Sequence, residues 1–317
     1  MRKIYLAIFS CFALSGLAQQ DLQFTQFQFN RMYYNPGVVG SGGAICINGI
    51  HRSQWVGFDG APTSQNINAN VPLKFLHGGL GLKIANDQIG YFQIINVGLG
   101  YAFQYNLGDG TLGAGFSANI TTQSVSNAEW IAPDGGATGA LLDPRIAQNG
   151  ATGVGFDMDF GVYYETEKFW AGISSSRLLE SATPYTGTLN GITNFYNRRH
   201  YYVMGGYNYP LPNTNLELQP SLLLKSDFAA SSVVDVNVTA LYNNKLWGGV
   251  SYRLTEAVAV NLGYQFTKSL RAGYAYDIPI TDISGQGAGS HEIFLNYCFK
   301  IEIPPKPPGS YKNPRFM

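Results

Sequence analysis

The sequence predicts an all-β fold: an antiparallel transmembrane β-barrel of about fourteen strands, with short turns on one rim and long loops on the other. Three observations predict it: a recurring two-residue alternation, strand lengths that exceed those of soluble sheets, and connections sorted by length. The alternation is plain in VVDVNVTALYNNKLWGGVSYRL at 233–254. Val234, Val236, Val238, Ala240 and Tyr242 fall on one side, and Asp235, Asn237 and Thr239 on the other. Successive strand side chains point to opposite faces, so a period of two means strand. The pattern returns at Ile95, Val97, Leu99, Tyr101, Phe103 and Tyr105, and again at Val258, Val260, Leu262, Tyr264 and Phe266.

Alternating segments fall near 43–55, 63–72, 78–86, 91–106, 110–122, 153–165, 168–176, 200–210, 215–226, 232–243, 245–254, 257–266, 269–278 and 290–300. Many reach ten residues, whereas soluble strands average about 5–6 and membrane-crossing strands need about 9–11. Every second connection is short, as in NLGD near 106–109, TEK at 166–168, NNK at 243–245 and TKS at 267–269. The three longest, near 123–152, 177–199 and 279–289, all belong to the other set. A soluble sandwich has no reason to sort its loops this way, whereas an outer-membrane barrel has short periplasmic turns and long extracellular loops.

Composition agrees. Charged residues make up 13% of 317, against about 25% in soluble domains. The chain has 38 glycines, 21 tyrosines and 19 phenylalanines. The polar side of the strands carries Gly, Ala, Ser, Asn and Gln, unlike the Lys- and Glu-rich exterior of a soluble barrel. The apolar side therefore faces lipid, with Tyr and Phe near strand ends where rings sit at headgroup level. Twenty basic and twenty acidic residues balance with no basic stripe, so nucleic acid is not an expected partner.

The chain divides into four parts. Residues 1–18 read as a secretory signal peptide: Arg2 and Lys3, an apolar run from Ile4 to Leu14, then Gly16 and Ala18 before a cut at Gln19. Residues 19–42 form a lead-in, 43–300 the outer-membrane barrel, and 301–317 a Pro-rich periplasmic tail with Pro304, Pro305, Pro307 and Pro308 in an extended conformation.

Several motifs resemble one family. FTQFQFNRMYYNPGVVGSGG at 24–43 and HRSQWVGFDGAPTSQNINANVPL at 51–73 are similar to the opening of the PorP/SprF family of type IX secretion membrane proteins. GGLGLKIANDQIG at 78–90, GSHEIFLNYCF at 289–299 and YKNPRF at 311–316 fit it too. Gly37-Val38-Val39 departs mildly from the family's usual aromatic after Asn-Pro. The resemblance implies a fourteen-stranded barrel of the Gram-negative outer membrane that serves protein secretion and gliding motility. It implies a non-enzymatic role, exporting or anchoring large surface proteins, often adhesins, beside other type IX secretion components. A general porin or solute channel is the alternative.

The lead-in holds Phe24, Phe27, Phe29, Tyr33 and Tyr34, followed by Asn35 and Pro36. Burying each ring is worth about 1.5–3 kcal/mol, so the segment either folds against the lower lumen as a partial plug or packs on the first strand as a lead-in. Arg52, Trp55 and Phe58 are read either as a surface patch meeting a secreted client, or as girdle aromatics beside an arginine paired in the lumen. Leu141, Leu142, Leu178 and Phe195 in the long loops are candidates for client contact. Tyr311, Arg315 and Phe316 are candidates for a periplasmic partner. Cys46 and Cys298 lie on the first and last strands and face inward. Two separate thiols are expected, with a seam disulfide the alternative. Asp157 and Asp159 share a face, as a cation or acid/base pair or as lumen charges balanced by a basic neighbour. His51, His77, His200 and His291 lack metal-ligand spacing, no nucleophile or phosphate-loop motif occurs, and neither a cofactor nor catalytic chemistry is expected.

Overall fold

A computed structural model describes residues 21–126, 150–186, 194–228, 232–285 and 287–299. The expected signal peptide, Leu141, Leu142 and the tail with Tyr311, Arg315 and Phe316 lie outside them. In chain order the strands are β1 (Ile45–Ser53), β2 (Thr63–Leu73), β3 (Gly78–Ile89), β4 (Phe92–Leu107), β5 (Gly110–Val125), β6 (Thr152–Glu165), β7 (Phe169–Ser176), β8 (Ala182–Thr186), β9 (Asn194–Tyr196), β10 (His200–Tyr207), β11 (Tyr209–Pro210), β12 (Leu216–Ser226), β13 (Val233–Tyr242), β14 (Leu246–Arg253), β15 (Ala257–Gln265), β16 (Leu270–Pro279) and β17 (Ser290–Phe299). Fourteen of these form a closed antiparallel barrel. β8, β9 and the two-residue β11 are additions at the rims. Closure is made by β1 against β17, in register from Ile45 opposite Phe299 to Ser53 opposite His291. It leaves neither strand with an open edge.

The alternation sorts side chains as the sequence suggested. Val236 and Val238 of β13 are exposed on the outer surface, while Asp235, Asn237 and Thr239 between them are fully buried in the lumen. The same division holds on β4, where Ile95, Val97, Leu99, Phe103 and Tyr105 are all exposed. The molecule is thus apolar outside and polar inside. At the turn joining β13 to β14, Asn243 and Asn244 adopt φ of 53° and 55°, the left-handed region that asparagine tolerates.

Two features differ from the sequence reading. The connection 177–199 is not simply a polar lid. It carries the β8–β9 hairpin, which continues the wall through Thr152 opposite Thr186 and Gly153 opposite Tyr185. Tyr185 packs there with Val125, Ala151 and Phe195 as a small separate core. Short Thr-, Pro- and Tyr-containing runs have too few residues for alternation to reveal them. The cysteines also differ. Cys46 and Cys298 are bonded, their Cα atoms 4.1 Å apart, not two separate thiols. Barrel closure places them directly opposite one another, and that register was not legible from either strand alone.

Candidate functional site

The lower rim is the one from which β1 leaves and to which β17 returns; the upper rim carries the long connections. Residues 21–43 run between these ends through the barrel interior. Asp21, Leu22 and Gln23 line an upper cavity of about 520 Å³ with Gln54, Trp55 and Thr281. Ser41 and Gly42 line a lower cavity of about 300 Å³ beside Cys46 and Cys298. No residue lines both cavities.

Charge holds the upper half of the segment. The Thr25 and Gln26 backbone N–H groups donate to the Glu292 carboxylate at 2.7 and 2.8 Å, and the Thr25 hydroxyl donates to Asp277 at 2.7 Å. Arg52 closes on Asp277 at 2.7 Å and Glu292 at 3.4 Å, and Arg253 on Asp235 at 3.1 Å and Asp277 at 3.2 Å. All five charged side chains are nearly fully buried. Each has an opposite charge beside it and further hydrogen bonds, which offset the cost of burying it. Above them, the Asp21 carboxylate accepts from Tyr202 at 2.5 Å, Tyr33 at 3.2 Å and Arg177 at 3.2 Å, while Lys225 Nζ donates to the Asp21 carbonyl at 2.7 Å. Burial alone would raise the Asp21 pKa. The charges of Arg177 and His200, the Tyr202 hydroxyl and Lys225 outweigh it and hold the group well below the ordinary carboxylate range.

Rings fill the middle. Phe24 and Phe27 are 0% and 1% exposed, and Tyr34 is buried. Phe24 meets Tyr33 edge-on, and Phe29 stacks on Phe294 and lies against Trp247. Burial pushes the Tyr33 and Tyr34 hydroxyls up, so they serve as neutral donors and acceptors.

Shape holds the lower half. Asn35 donates to the Val162 and Ile173 carbonyls at 3.0 and 3.2 Å, and its Oδ1 accepts from the Gly37 N–H at 2.8 Å. Pro36 then starts a short 3-10 turn, Pro36–Val38. The backbone of this turn lies directly on Gly113 and Gly115 of β5. A Cβ on either glycine would collide with the Gly37 or Pro36 carbonyl oxygen. Gly161 and Gly172 make room for the Asn35 amide in the same way. The sequence reading took these glycines as small lumen-facing residues; the backbone lying on them is what requires glycine there.

The other candidates separate. Arg52 is 2% exposed and faces the lumen, so it is not part of an outer patch. Trp55 lines the upper cavity with φ of 48°, and Phe58 is 52% exposed at the rim. Leu178 is half-buried, with its N–H on the Met158 carbonyl at 2.8 Å. Phe195 packs in the small hairpin core. Asp159 pairs with Lys83 at 2.8 Å, and Asp157 accepts from the Leu179 N–H at 2.9 Å, tying down an upper connection. Among the described residues no His, Cys, Asp and Glu cluster could hold a metal. Asp21, Asp235, Arg253, Asp277 and Glu292 are the site residues that sequence reasoning did not single out. Only the inward parity of Asp235 was visible.

A closed barrel with an apolar exterior, a polar lumen and an internal segment defines a class, the outer-membrane β-barrel proteins. The family model for type IX secretion system membrane protein PorP/SprF matches residues 16–297, and the chain belongs to that family. It is therefore a type IX secretion barrel of the Gram-negative outer membrane, whose partners include other secretion components. No curated protein matches the chain. Among solved structures, the outer-membrane protein Omp33 of Acinetobacter baumannii is 12% identical over 82% of this chain and 100% of its own, with a TM-score of 0.44. The toluene transporter TodX of Pseudomonas putida is 11% identical over 86% and 94%, with a TM-score of 0.49.

Proposed function

We propose that this barrel is a non-enzymatic docking component of type IX secretion and gliding, helping to export or anchor a large surface protein at the upper rim, with its lumen plugged by residues 21–43. The exterior band of Val, Leu, Ile, Phe and Tyr contacts outer-membrane lipid. The upper rim is extracellular and the lower rim periplasmic. The observation that carries the reading is the filling of the lumen. Phe24, Phe27 and Tyr34 are buried together in the middle of the lumen and fill it independently of the hydrogen bonds and ion pairs around them. A general porin needs a continuous aqueous channel, and here only small cavities of about 50 and 10 Å³ lie beside the rings between the upper and lower cavities. Contact with the client falls to upper-rim groups: Phe58 and Leu178, with Leu141 and Leu142 in the long connection. Tyr311, Arg315 and Phe316 of the tail serve a periplasmic partner.

Two measurements test this. Purified barrel in planar bilayers should show little or no stable conductance, and large open-state currents would favour the porin. Affinity capture of the intact barrel from its own membranes, read by mass spectrometry, should recover secretion components together with a large surface protein. Recovery of secretion components without any surface protein would remove the docking role.

A further inference from the structure

One carboxylate at the upper mouth of the lumen has no cation. Asp87 of β3 lines the cavity of about 520 Å³ and is 9% exposed. Its Oδ1 accepts from the Ser64 hydroxyl at 2.6 Å. Its Oδ2 has no partner among the described residues, yet it is not sealed off, so it meets the cavity. Register aligns Arg52 of β1 with Ser64 of β2, and Ser64 with Asp87. Arg52 nevertheless turns the other way, to Asp277 at 2.7 Å and Glu292 at 3.4 Å. Every other cation nearby is also taken. Arg253 lies between Asp235 and Asp277, Lys83 pairs with Asp159 at 2.8 Å, and Arg177 pairs with Asp21 at 3.2 Å. Glu256, across the mouth, is 39% exposed and reaches only Arg253, at 3.8 Å. The mouth therefore carries an excess of negative charge, and a buried carboxylate without a counter-ion is costly.

The walls decide which form of cation fits. A bare metal ion needs several oxygen ligands, and the described residues hold no such group. The cavity is instead lined beside Asp87 by Pro62, Ile89, Trp55 and Pro279. Ile89 is the next inward residue of β3 and is 37% exposed, an apolar side chain left uncovered at a polar mouth. The rim around Trp55 is fixed: its N–H donates to the Ser290 hydroxyl at 3.2 Å, the Gln54 N–H to the Pro62 carbonyl at 2.9 Å, and the Val56 N–H to the Gly289 carbonyl at 2.8 Å. Apolar walls around one carboxylate suit a charged head on a chain of methylenes, and an indole face attracts an ammonium or guanidinium.

We propose that the upper cavity is a socket for a basic side chain, lysine or arginine, projecting from the surface protein that docks at this rim. Its ammonium or guanidinium donates to Asp87 Oδ2, and its methylenes lie against Ile89, Pro62 and Trp55. The volume falls within the range of small-ligand sites and has room for one long side chain with part of its backbone. The identity of the partner rests on the docking role proposed above; the cation site stands on the cavity itself.

The probes are N-acetyl-Ala-Lys-Ala-amide and its arginine form, titrated calorimetrically into full-length protein in detergent. The control is the same peptide with norleucine, which keeps the methylenes and drops the charge. Saturable binding of either charged peptide, with the norleucine form weaker by about tenfold or more, is expected, since a charged hydrogen bond is lost. Asp87→Asn keeps the shape of the side chain and an acceptor for Ser64, so the barrel folds and the preference for charge disappears. Heat-modifiable migration on gels reports that folding. Equal binding of charged and neutral peptides, a preference that survives Asp87→Asn, or no saturable binding of any peptide would each overturn the proposal. So would binding of calcium or spermidine that depends on Asp87 while the peptides do not bind. Affinity capture from cells carrying Asp87→Asn should recover secretion components as the parent does, with the surface protein reduced by about tenfold or more. Equal recovery of the surface protein would overturn the socket and leave the docking role standing. A parent that recovers no surface protein would remove the docking role alone, and the titration would still decide the cation site.

Discussion

The two halves of the internal segment are held by different physics. From Asp21 to Gln26 the chain is fixed by buried charge: Glu292, Asp277 and Asp235 against Arg52 and Arg253, with Thr25 between them. From Asn35 to Val39 almost no charge is involved, and the backbone lies in a groove floored by Gly113, Gly115, Gly161 and Gly172. A charge network depends on partners and can be loosened by removing one or by protonation. A steric groove depends on the absence of atoms and yields only when atoms are added. The lower half is thus a permanent seat, and the upper half is the part that solution conditions can reach.

The largest effect should come from filling the seat. Gly113→Val with Gly115→Val places side chains where the Gly37 and Pro36 carbonyls lie. Backbone oxygen in a turn cannot rotate away, so the lower half must leave the wall. Overpacking alone costs about 1–3 kcal/mol, and here the loss extends to the contacts of a whole turn. Planar-bilayer recordings should change from closed to conducting. A double variant that stays closed and as stable as the parent would show that the glycines only fill space.

Next is the charge network. Arg253→Leu leaves Asp235 and Asp277 facing a lumen without one of their cations, and removing one partner of a buried pair typically costs about 3–5 kcal/mol. Denaturant midpoints should fall accordingly. Adding Asp235→Asn should recover part of the loss, because Arg253 is that residue's only ion-pair partner among the described residues. Failure of the second change to recover anything would show that Arg253 acts through packing rather than charge.

The seam comes third. Cys46→Ser should cost about 2–4 kcal/mol under oxidising conditions, and the variant should match reduced parent protein. β1 and β17 stay paired without the bond, since nine residue pairs hold the register. The barrel should therefore migrate as a folded species on unheated gels whether or not it is reduced.

How legible all this was follows from the range of each interaction. Which residues face inward was readable locally, since alternation around Asp235, Asn237 and Thr239 needs only neighbours in sequence. That the lead-in must cover Phe24, Phe27, Phe29, Tyr33 and Tyr34 was also readable, because five rings in a short polar stretch demand it. What they would meet was not. The Thr25 N–H finds Glu292 across 267 residues, and that pairing exists only after fourteen strands close in one register. Arg52 shows the same limit: its parity was compatible with rim or lumen, and only Asp277 and Glu292 decide it. Cys46 and Cys298 were placed on adjoining strands by topology, yet a one-residue slip would have separated them.

The smallest and most specific test concerns Asp21, at the top of the charged half. Its folded pKa is depressed below the ordinary value of about 3.9. A depressed carboxylate contributes stability that is fully present above its unfolded pKa and lost as pH falls through the folded one. Above about pH 5 the Asp21 carboxylate binds no proton in either state, so its own titration changes nothing there. Below about pH 4 the contribution should fade, as the unfolded chain begins to bind a proton that the folded group still refuses. Asp21→Asn keeps the size of the side chain and removes the charge that faces Arg177, His200 and Lys225. The parent should have the higher denaturant midpoint at neutral pH, and the difference should narrow as pH falls below 4, whatever the remaining carboxylates do in both proteins. A difference that stays constant down to pH 2 would mean that Asp21 holds the upper half by its hydrogen bonds to Tyr202 and Tyr33 alone. The contrast between a charged half and a steric half would then have to be drawn lower, at Thr25.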